Sequence, residues 1–255
     1  MIGSVWEALA VLLAGVAAGT INTVVGSGTL ITFPVLLAVG LAPVTANVSN
    51  TVGLVPGSVS GAWGYRAELR GQRARLLRLG PASLLGGLVG AALLLVLPSS
   101  AFDAIVPVLI GLGVVLVVLG PRISGRVTRR AQARGGLPEW GAGWVRPAVA
   151  GTGVYGGYFG AAQGVLLMAI LGIGVEDTMQ RQNATKNVLA LIVNAVAGVI
   201  FIAVAHVDWR AAGLIAVGSA VGGQLGATIG RRLPSAVLRT VIVVVGLAAL
   251  VSFLT

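Results

Sequence analysis

Apolar runs close to the length needed to cross a bilayer follow one another along almost the whole chain. Of the 255 residues, 56% are hydrophobic and 9% are charged, and a soluble domain cannot bury that much apolar surface. A helix rises about 1.5 Å per residue and needs about 20 apolar residues to cross the hydrocarbon. The pattern therefore predicts an all-α, polytopic membrane protein with no separate soluble domain.

Ten apolar segments can be distinguished, and two of them are too short to cross the hydrocarbon alone. The segments span about 5–25, 28–41, 43–64, 80–97, 102–120, 147–163, 165–174, 178–205, 211–230 and 236–254. We expect the second and the seventh to be half-helices of broken or re-entrant pairs. No basic residue precedes the first segment, so we interpret it as a span and not as a cleaved signal peptide.

The positions of the arginines predict the orientation. Residues 66–78 and residues 121–134 carry five arginines each, and basic residues near span ends stay in the cytoplasm. We therefore expect a multi-pass protein of the cell (inner or plasma) membrane, with both basic loops cytoplasmic and both termini outside. The arginines lack interleaved aromatic residues, so the net charge of +10 does not indicate a nucleic-acid partner.

This orientation gives the two halves opposite directions in the membrane. We predict two inverted repeats of about five helical segments each, residues 1–120 and residues 146–255, joined by a cytoplasmic basic linker at 121–145. One constant shift along the chain, which we call the repeat shift, aligns identical residues in the two halves: Ala14, Gly15, Gly28, Leu30, Asn47 and Val52 with Ala150, Gly151, Gly164, Leu166, Asn183 and Val188. Inverted repeats with broken helices are typical of secondary transporters, whose sites lie at the repeat interface.

Glycine-containing breaks precede both short segments. One break contains Gly26 and Gly28, and the other contains Gly160 and Gly164. Each is expected to expose backbone N–H groups at the N-terminus of the short helix that follows, where anions are favoured. Side chains near the breaks add hydrogen-bond donors: Asn22, Ser27, Thr29, Tyr158 and Gln163. Glycines that recur every four residues, such as Gly218, Gly222 and Gly226, instead indicate close helix packing.

Polar side chains also line one face of each of two longer segments. Asn47 and Asn50 lie on the third segment. Asn183, Asn187 and Asn194 lie on the eighth, and Thr185 is adjacent to them. An unpaired amide in hydrocarbon is costly, so these faces should point at each other or at a cavity. The sequence leaves two interpretations open, namely hydrogen bonds between helices and coordination of a substrate.

Lys186 is the only lysine and lies at the start of the eighth segment. An ammonium inside a membrane is expensive and usually functional. The alternative is that Lys186 extends to the cytoplasmic surface, near Arg181, Glu176 and Asp177. A functional Lys186 would attract or bind an anion. The predicted substrate-binding residues are Asn22, Ser27, Gly28, Thr29, Asn47, Asn50, Gln163, Asn183, Thr185, Lys186 and Asn187.

Enzymatic chemistry is not expected. The chain has no cysteine and one histidine, His206, in a predicted external turn, and no acid pair falls deep in a span. An intramembrane enzyme would need a nucleophile with its base, or a metal cluster. We therefore expect no metal and no cofactor, and a small anion and the lipid bilayer as partners. A passive small-anion channel is the alternative to a transporter.

Two stretches resemble the TauE/SafE, or sulfite exporter, family of membrane transporters. They are AGVAAGTINTVVGSGTLITFPVLLAVGLAPVTANVSNT in the first half, and GVYGGYFGAAQG followed by NATKN in the second. The resemblance implies a secondary transporter or exporter of a small sulfur-containing anion, such as sulfite, a sulfonate, sulfoacetate or thiosulfate. The residues that match the family motifs are Asn22, Gly26, Gly28, Pro34 and Asn50, and Gly160, Gly164, Thr185 and Lys186. Neither the residues nor the resemblance defines the exact anion, the direction, the coupling ion or whether the protein is a homodimer.

Overall fold

The computed structural model describes residues 2–132 and 141–229, together with the helical residues 240, 243, 244 and 247. Apart from those four residues, this part of the chain contains nine helices and no strand. They are α1 (Val5–Val24), α2 (Thr29–Ala38), α3 (Pro43–Gly64), α4 (Arg73–Val96), α5 (Ser99–Gln132), α6 (Val145–Tyr158), α7 (Gln163–Gly174), α8 (Met179–Val204) and α9 (Trp209–Thr228). The tenth predicted segment, 236–254, falls almost entirely outside the described residues.

The prediction of an all-α, polytopic membrane protein is confirmed. Five helices of the described chain are long and apolar enough to cross a membrane, and they lie at Val5–Val24, Arg73–Val96, Ser99–Leu119, Met179–Val204 and Trp209–Thr228. Their outer surfaces carry large apolar side chains, such as Leu85 and Val108. The two short helices are also confirmed, since α2 has 10 residues and α7 has 12.

Two helix boundaries differ from the prediction. Helix α4 begins at Arg73 and not near residue 80, because Arg75 is buried and paired with an acid, so the helix starts before its apolar run. Helix α5 continues to Gln132 and not to residue 120, so the first part of the predicted linker at 121–145 is helical. The end of an apolar run marks where lipid ends, whereas a helix can continue into water through residues with good helix propensity, such as Arg, Ala and Gln.

The long helices pack in pairs that join the two halves of the chain. Helix α1 packs on α9, α4 packs on α6, and α3 and α8 pack on each other. Glycines make the first two contacts close. A Cβ on Gly222 would collide with the carbonyl of Val16, and one on Gly86 would collide with the carbonyl of Ala150. The prediction that the recurrent glycines serve packing is therefore confirmed for Gly218, Gly222, Gly226, Gly153 and Gly157.

An aromatic cluster packs the two short-helix regions against α5. The ring of Phe33 on α2 meets that of Phe159 edge to face, with centroids 5.1 Å apart. Phe102 on α5 lies 6.0 Å from Phe159 and 6.4 Å from Phe33 in the same type of contact. All three side chains are buried. The cluster holds α2 and the break that follows α6 in one apolar core.

Candidate functional site

The first break is a tight turn between α1 and α2. The N–H groups of Val25 and Gly26 both donate to the carbonyl of Ile21, at 2.7 and 3.0 Å. Gly26 has φ +92°, in the left-handed region that favours glycine. A Cβ on Gly28 would lie 2.5 Å from the carbonyl oxygen of Ala18, so α2 begins directly against α1. One glycine thus permits the turn, and the other permits the close approach.

The second break ends α6 in the same way. The N–H groups of Phe159 and Gly160 both donate to the carbonyl of Tyr155, at 3.0 and 3.1 Å, and Gly160 has φ +73°. Gly160 and Gly26 therefore occupy the same position at the ends of their helices. The repeat shift does not align the first two helices of each half, because the breaks are equally long but α7 has 12 residues and α2 has 10. The helix ends therefore do not follow the alignment of Ala14, Gly15, Gly28 and Leu30 with Ala150, Gly151, Gly164 and Leu166.

The two breaks touch each other. The N–H of Gly164 donates to the carbonyl of Gly26 at 2.9 Å, and a Cβ on either glycine would collide with the backbone of the other. The N-termini of α2 and α7 consequently begin side by side. We call this contact the crossing; it joins the first break, residues 25–28, to the second break and the start of α7, residues 159–164.

Lys186 is completely buried and binds the end of α1. Its Nζ donates to the carbonyls of Asn22 at 2.9 Å and of Thr23 at 3.1 Å. The side chain therefore does not extend to the membrane surface. The C-terminus of a helix carries partial negative charge, which stabilises an ammonium placed there. Asn22 takes part through its backbone carbonyl.

The amides on α8 reach the same place. Asn183 and Asn187 donate to the carbonyl of Thr23 at 3.2 and 3.3 Å, so this one oxygen accepts from three side chains of α8. These side chains satisfy the carbonyls that the break leaves without intrahelical partners.

The amides on α3 reach both the second break and α2. Asn47 donates to the carbonyl of Tyr158 at 2.9 Å. Asn50 donates to Thr29 Oγ1 at 3.2 Å and accepts a hydrogen bond from Thr32. The polar face of each long helix thus serves the break of the opposite half or the start of a short helix.

Thr185 is the one predicted site residue that lies away from the crossing. Its hydroxyl donates to Gln72 Oε1 at 2.6 Å, because it points to the start of α4. Arg75, which was not among the predicted site residues, is buried there and forms an ion pair of 2.7 Å with Asp177. The useful signal was the spacing of Asp177 and Arg181, which form a second ion pair at 2.9 Å. We call Gln72, Arg75, Asp177, Arg181 and Thr185 the loop cluster.

The loop cluster keeps Asp177 ionised. Burial raises the pKa of Asp177, but hydrogen bonds from Arg75, from the N–H of Thr178 and from Arg181 outweigh it, so the pKa lies below its ordinary value. The carboxylate thereby joins the start of α4 to the start of α8.

Several polar atoms near the crossing are buried without a hydrogen-bond partner among the described residues. They are Ser27 Oγ, Asn47 Oδ1, Tyr158 OH, Gln163 Nε2 and Asn183 Oδ1. Buried polar atoms of this type normally have a partner, so these atoms are candidates for binding a ligand. In the described part of the chain no three histidine or acidic side chains come together as metal ligands would.

Two broken helices that cross in the interior, beside a buried ammonium, are the arrangement of a membrane transporter. The chain belongs to the sulfite exporter TauE/SafE family, whose sequence model matches residues 11–253. The resemblance noted in the sequence is therefore confirmed.

Two relatives are similar over nearly the whole chain. The probable membrane transporter protein YfcA of Escherichia coli K12 is 25% identical over 243 residues, which cover 89% of this chain and 82% of the relative. The probable membrane transporter protein ORF9 of a Sinorhizobium species is 24% identical over 246 residues, which cover 95% and 90%. No solved structure matches this chain.

Proposed function

We propose that this protein is a secondary transporter that moves a small, sulfur-containing anion by alternating access at the crossing. The substrate class is that of sulfite, sulfonates, sulfoacetate or thiosulfate. The observation that carries the proposal is the buried ammonium of Lys186 beside two helix N-termini that begin side by side.

The charge at the crossing favours an anion. The ends of α1 and α6 each carry about half a negative charge, and the starts of α2 and α7 each carry about half a positive charge. These partial charges offset one another, so Lys186 leaves an excess of one positive charge. In the described part of the chain the acidic residues lie near helix ends or in connections: Glu7, Glu68, Asp103, Glu176, Asp177 and Asp208.

Neutral donors complete a binding shell. Ser27 lies directly before α2, and Gln163 is the first residue of α7. Their side chains carry buried donor atoms that no described residue accepts from. Hydroxyl and amide donors bind the oxygen atoms of a sulfur oxyanion or a sulfonate. Lys186 supplies the charge while its hydrogen bonds remain with the end of α1.

Equivalent hydrogen bonds in the two halves support the inverted repeat. Ser83 on α4 donates to the carbonyl of Leu189 at 3.2 Å, and Ser219 on α9 donates to the carbonyl of Gly53 at 2.8 Å. The repeat shift relates the two donors to each other and the two acceptors to each other. An inverted repeat allows one half to rock against the other around a site at their interface.

A further equivalent pair of contacts supports alternating access. Thr185 donates to the side chain of Gln72, and the hydroxyl of Ser49 accepts from the N–H of Asp208 at 2.9 Å. These contacts also correspond by the repeat shift, and they join the halves at two separate connections, α3–α4 and α8–α9. If the repeat is inverted, the two contacts close opposite sides of the membrane, and each opens in turn.

The experiment is a comparison of anion flux in proteoliposomes. Replacing Lys186 with Met keeps a long apolar stem and removes the charge, so we expect flux of sulfite or a small sulfonate to fall at least about tenfold, the effect of losing roughly 1.4 kcal/mol of binding. The control is Arg78→Gln, which removes a charge from an exposed position. Unchanged flux in the Lys186 variant, with folded protein recovered, would exclude Lys186 from the mechanism.

The same vesicles distinguish a transporter from a channel. The flux through a transporter saturates as the anion concentration rises. Efflux is faster when the opposite side contains an exchangeable anion, because the protein must change conformation before it can bind the next anion. Flux that stays linear with concentration and shows no counter-transport would instead support the passive channel.

A further inference from the structure

We propose that the end of α6 binds an exchangeable monovalent cation, Na⁺, at the place that corresponds to the ammonium of Lys186 at the end of α1. The proposal starts from the matching helix ends. Because Gly26 corresponds to Gly160, the two carbonyls that bind Lys186 correspond to those of Gly156 and Gly157.

These two carbonyls lack a donor within the described part of the chain. The N–H of Gly160, which would continue the helix ladder to Gly156, donates to Tyr155 instead. Among the described residues no other group donates to the carbonyls of Gly156 and Gly157 from beyond α6. A buried carbonyl without a donor is costly. At the end of α1 the corresponding oxygens accept four hydrogen bonds from side chains of α8.

The second feature is a difference in charge between two side chains that correspond in the two halves. Asn50 is the residue that the repeat shift pairs with Lys186, and it carries no charge and bonds to Thr29 and Thr32 on α2. Counted from the first residue of each short helix, the residues of α7 at those two positions are Gln163 and Leu166. Lys186 donates to the end of α1, and no described residue brings an ammonium to the end of α6.

Asn47 supplies a side-chain oxygen. Its Nδ2 donates to the carbonyl of Tyr158 at 2.9 Å, which places the amide at the end of α6. Its Oδ1 is completely buried and has no partner among the described residues. Exchanging the two amide atoms would set Oδ1 against the carbonyl oxygen, so the orientation is defined. The side chain of Gln163 packs on Gly156 and adds a second amide.

Neutral carbonyl and amide oxygens at a broken helix end are the ligands that transporters use for Na⁺. Divalent cations prefer sites with carboxylates, and none lies at this helix end within the described residues. A bound Na⁺ would add a positive charge beside the proposed anion site. Cation and anion would then bind more tightly together than apart, which is the requirement for coupling.

The first experiment measures thermal unfolding of the purified protein in detergent at constant ionic strength, with NaCl, KCl or choline chloride and no substrate. A ligand that binds only the folded state raises the unfolding temperature as its concentration rises. We expect the midpoint to rise with Na⁺ and to stay constant with choline. The same midpoints in all three salts would overturn the proposal.

Variants locate the effect. Asn47→Ala removes the side-chain oxygen, so we expect about tenfold more Na⁺ to be needed for the same rise in midpoint. The control is Asn194→Ala, which removes an amide bonded to Ser58 between α3 and α8 and should keep the wild-type response. An unaltered Na⁺ response in Asn47→Ala would also overturn the proposal.

The Na⁺ site is an addition to the proposed anion transport. Measurements of anion flux distinguish the two proposals. Flux that requires Na⁺ supports both. Flux of equal rate in choline would contradict the cation site and leave the anion transporter intact. A rise in midpoint with Na⁺ in a protein that moves no anion would support the site and refute the proposed function.

Discussion

Lys186 is stable in the interior because the end of a broken helix supplies the oxygen atoms that water supplies at the surface. Burying an ammonium without such partners would be prohibitively costly. Its partners are main-chain atoms of Asn22 and Thr23, so no residue type in the sequence identifies them. The sequence marks Lys186 as unusual but does not indicate these carbonyl partners. Arg75 was not among the predicted site residues, because hydropathy assigned that residue to a loop.

Single glycines at the crossing allow a clear test of the packing. Gly164→Ala should destabilise the protein by about 1–3 kcal/mol, since the added methyl group collides with the backbone of Gly26. The matched control is Gly151→Ala, also in a helix but with open space around the new methyl group, which should be neutral or slightly stabilising. Thermal unfolding of both variants checks this, and equal effects would contradict the close contact of the breaks.

At the scale of helices, the loop cluster joins elements that are distant in the chain. It connects the start of α4 to the start of α8 through a buried ion pair. The sequence correctly indicated the short helices α2 and α7, because their lengths and flanking glycines are local properties. The extension of α5 to Gln132 and the early start of α4 could not be predicted from hydropathy. The extension of α5 depends on a helix that continues beyond its apolar run. The early start of α4 depends on Asp177, which lies in the other half of the chain.

Removing the carboxylate of the loop cluster should be costly at neutral pH. Asp177→Asn leaves the guanidinium of Arg75 buried without its counter-charge, so we expect a loss of about 3 kcal/mol. Asp103→Asn, at an exposed position, is the control and should change little. Thermal unfolding at neutral pH measures both, and a loss equal to that of the control would contradict a structural role for the pair.

The same ion pair predicts a dependence on pH. The folded pKa of Asp177 lies below its unfolded value, so its contribution is present above the ordinary pKa of about 4 and is lost as the pH falls through the lowered folded value. The difference in stability between wild type and Asp177→Asn should therefore shrink as the pH falls below the ordinary pKa of about 4. A difference that stays constant with pH would show that ionisation of Asp177 does not matter.

At the scale of the whole molecule, the central claim is that two halves of opposite orientation meet at the crossing. The sequence suggested a repeat only through scattered identities, and that alignment does not match the ends of α1 and α6 because α7 is longer than α2. Tertiary contacts give further support for two related halves. The glycine turns at Gly26 and Gly160 and the serine bonds from α4 and α9 correspond even where the side chains around them differ.

The orientation can be measured directly, because the chain contains no cysteine. Arg70 and His206 are paired by the repeat shift and are both exposed. We would introduce Arg70→Cys and His206→Cys separately and treat intact cells with a thiol reagent that does not cross membranes. An inverted repeat requires labelling of His206→Cys from outside, and labelling of Arg70→Cys only after the membrane is permeabilised. Labelling of both positions from the same side would contradict the inverted arrangement.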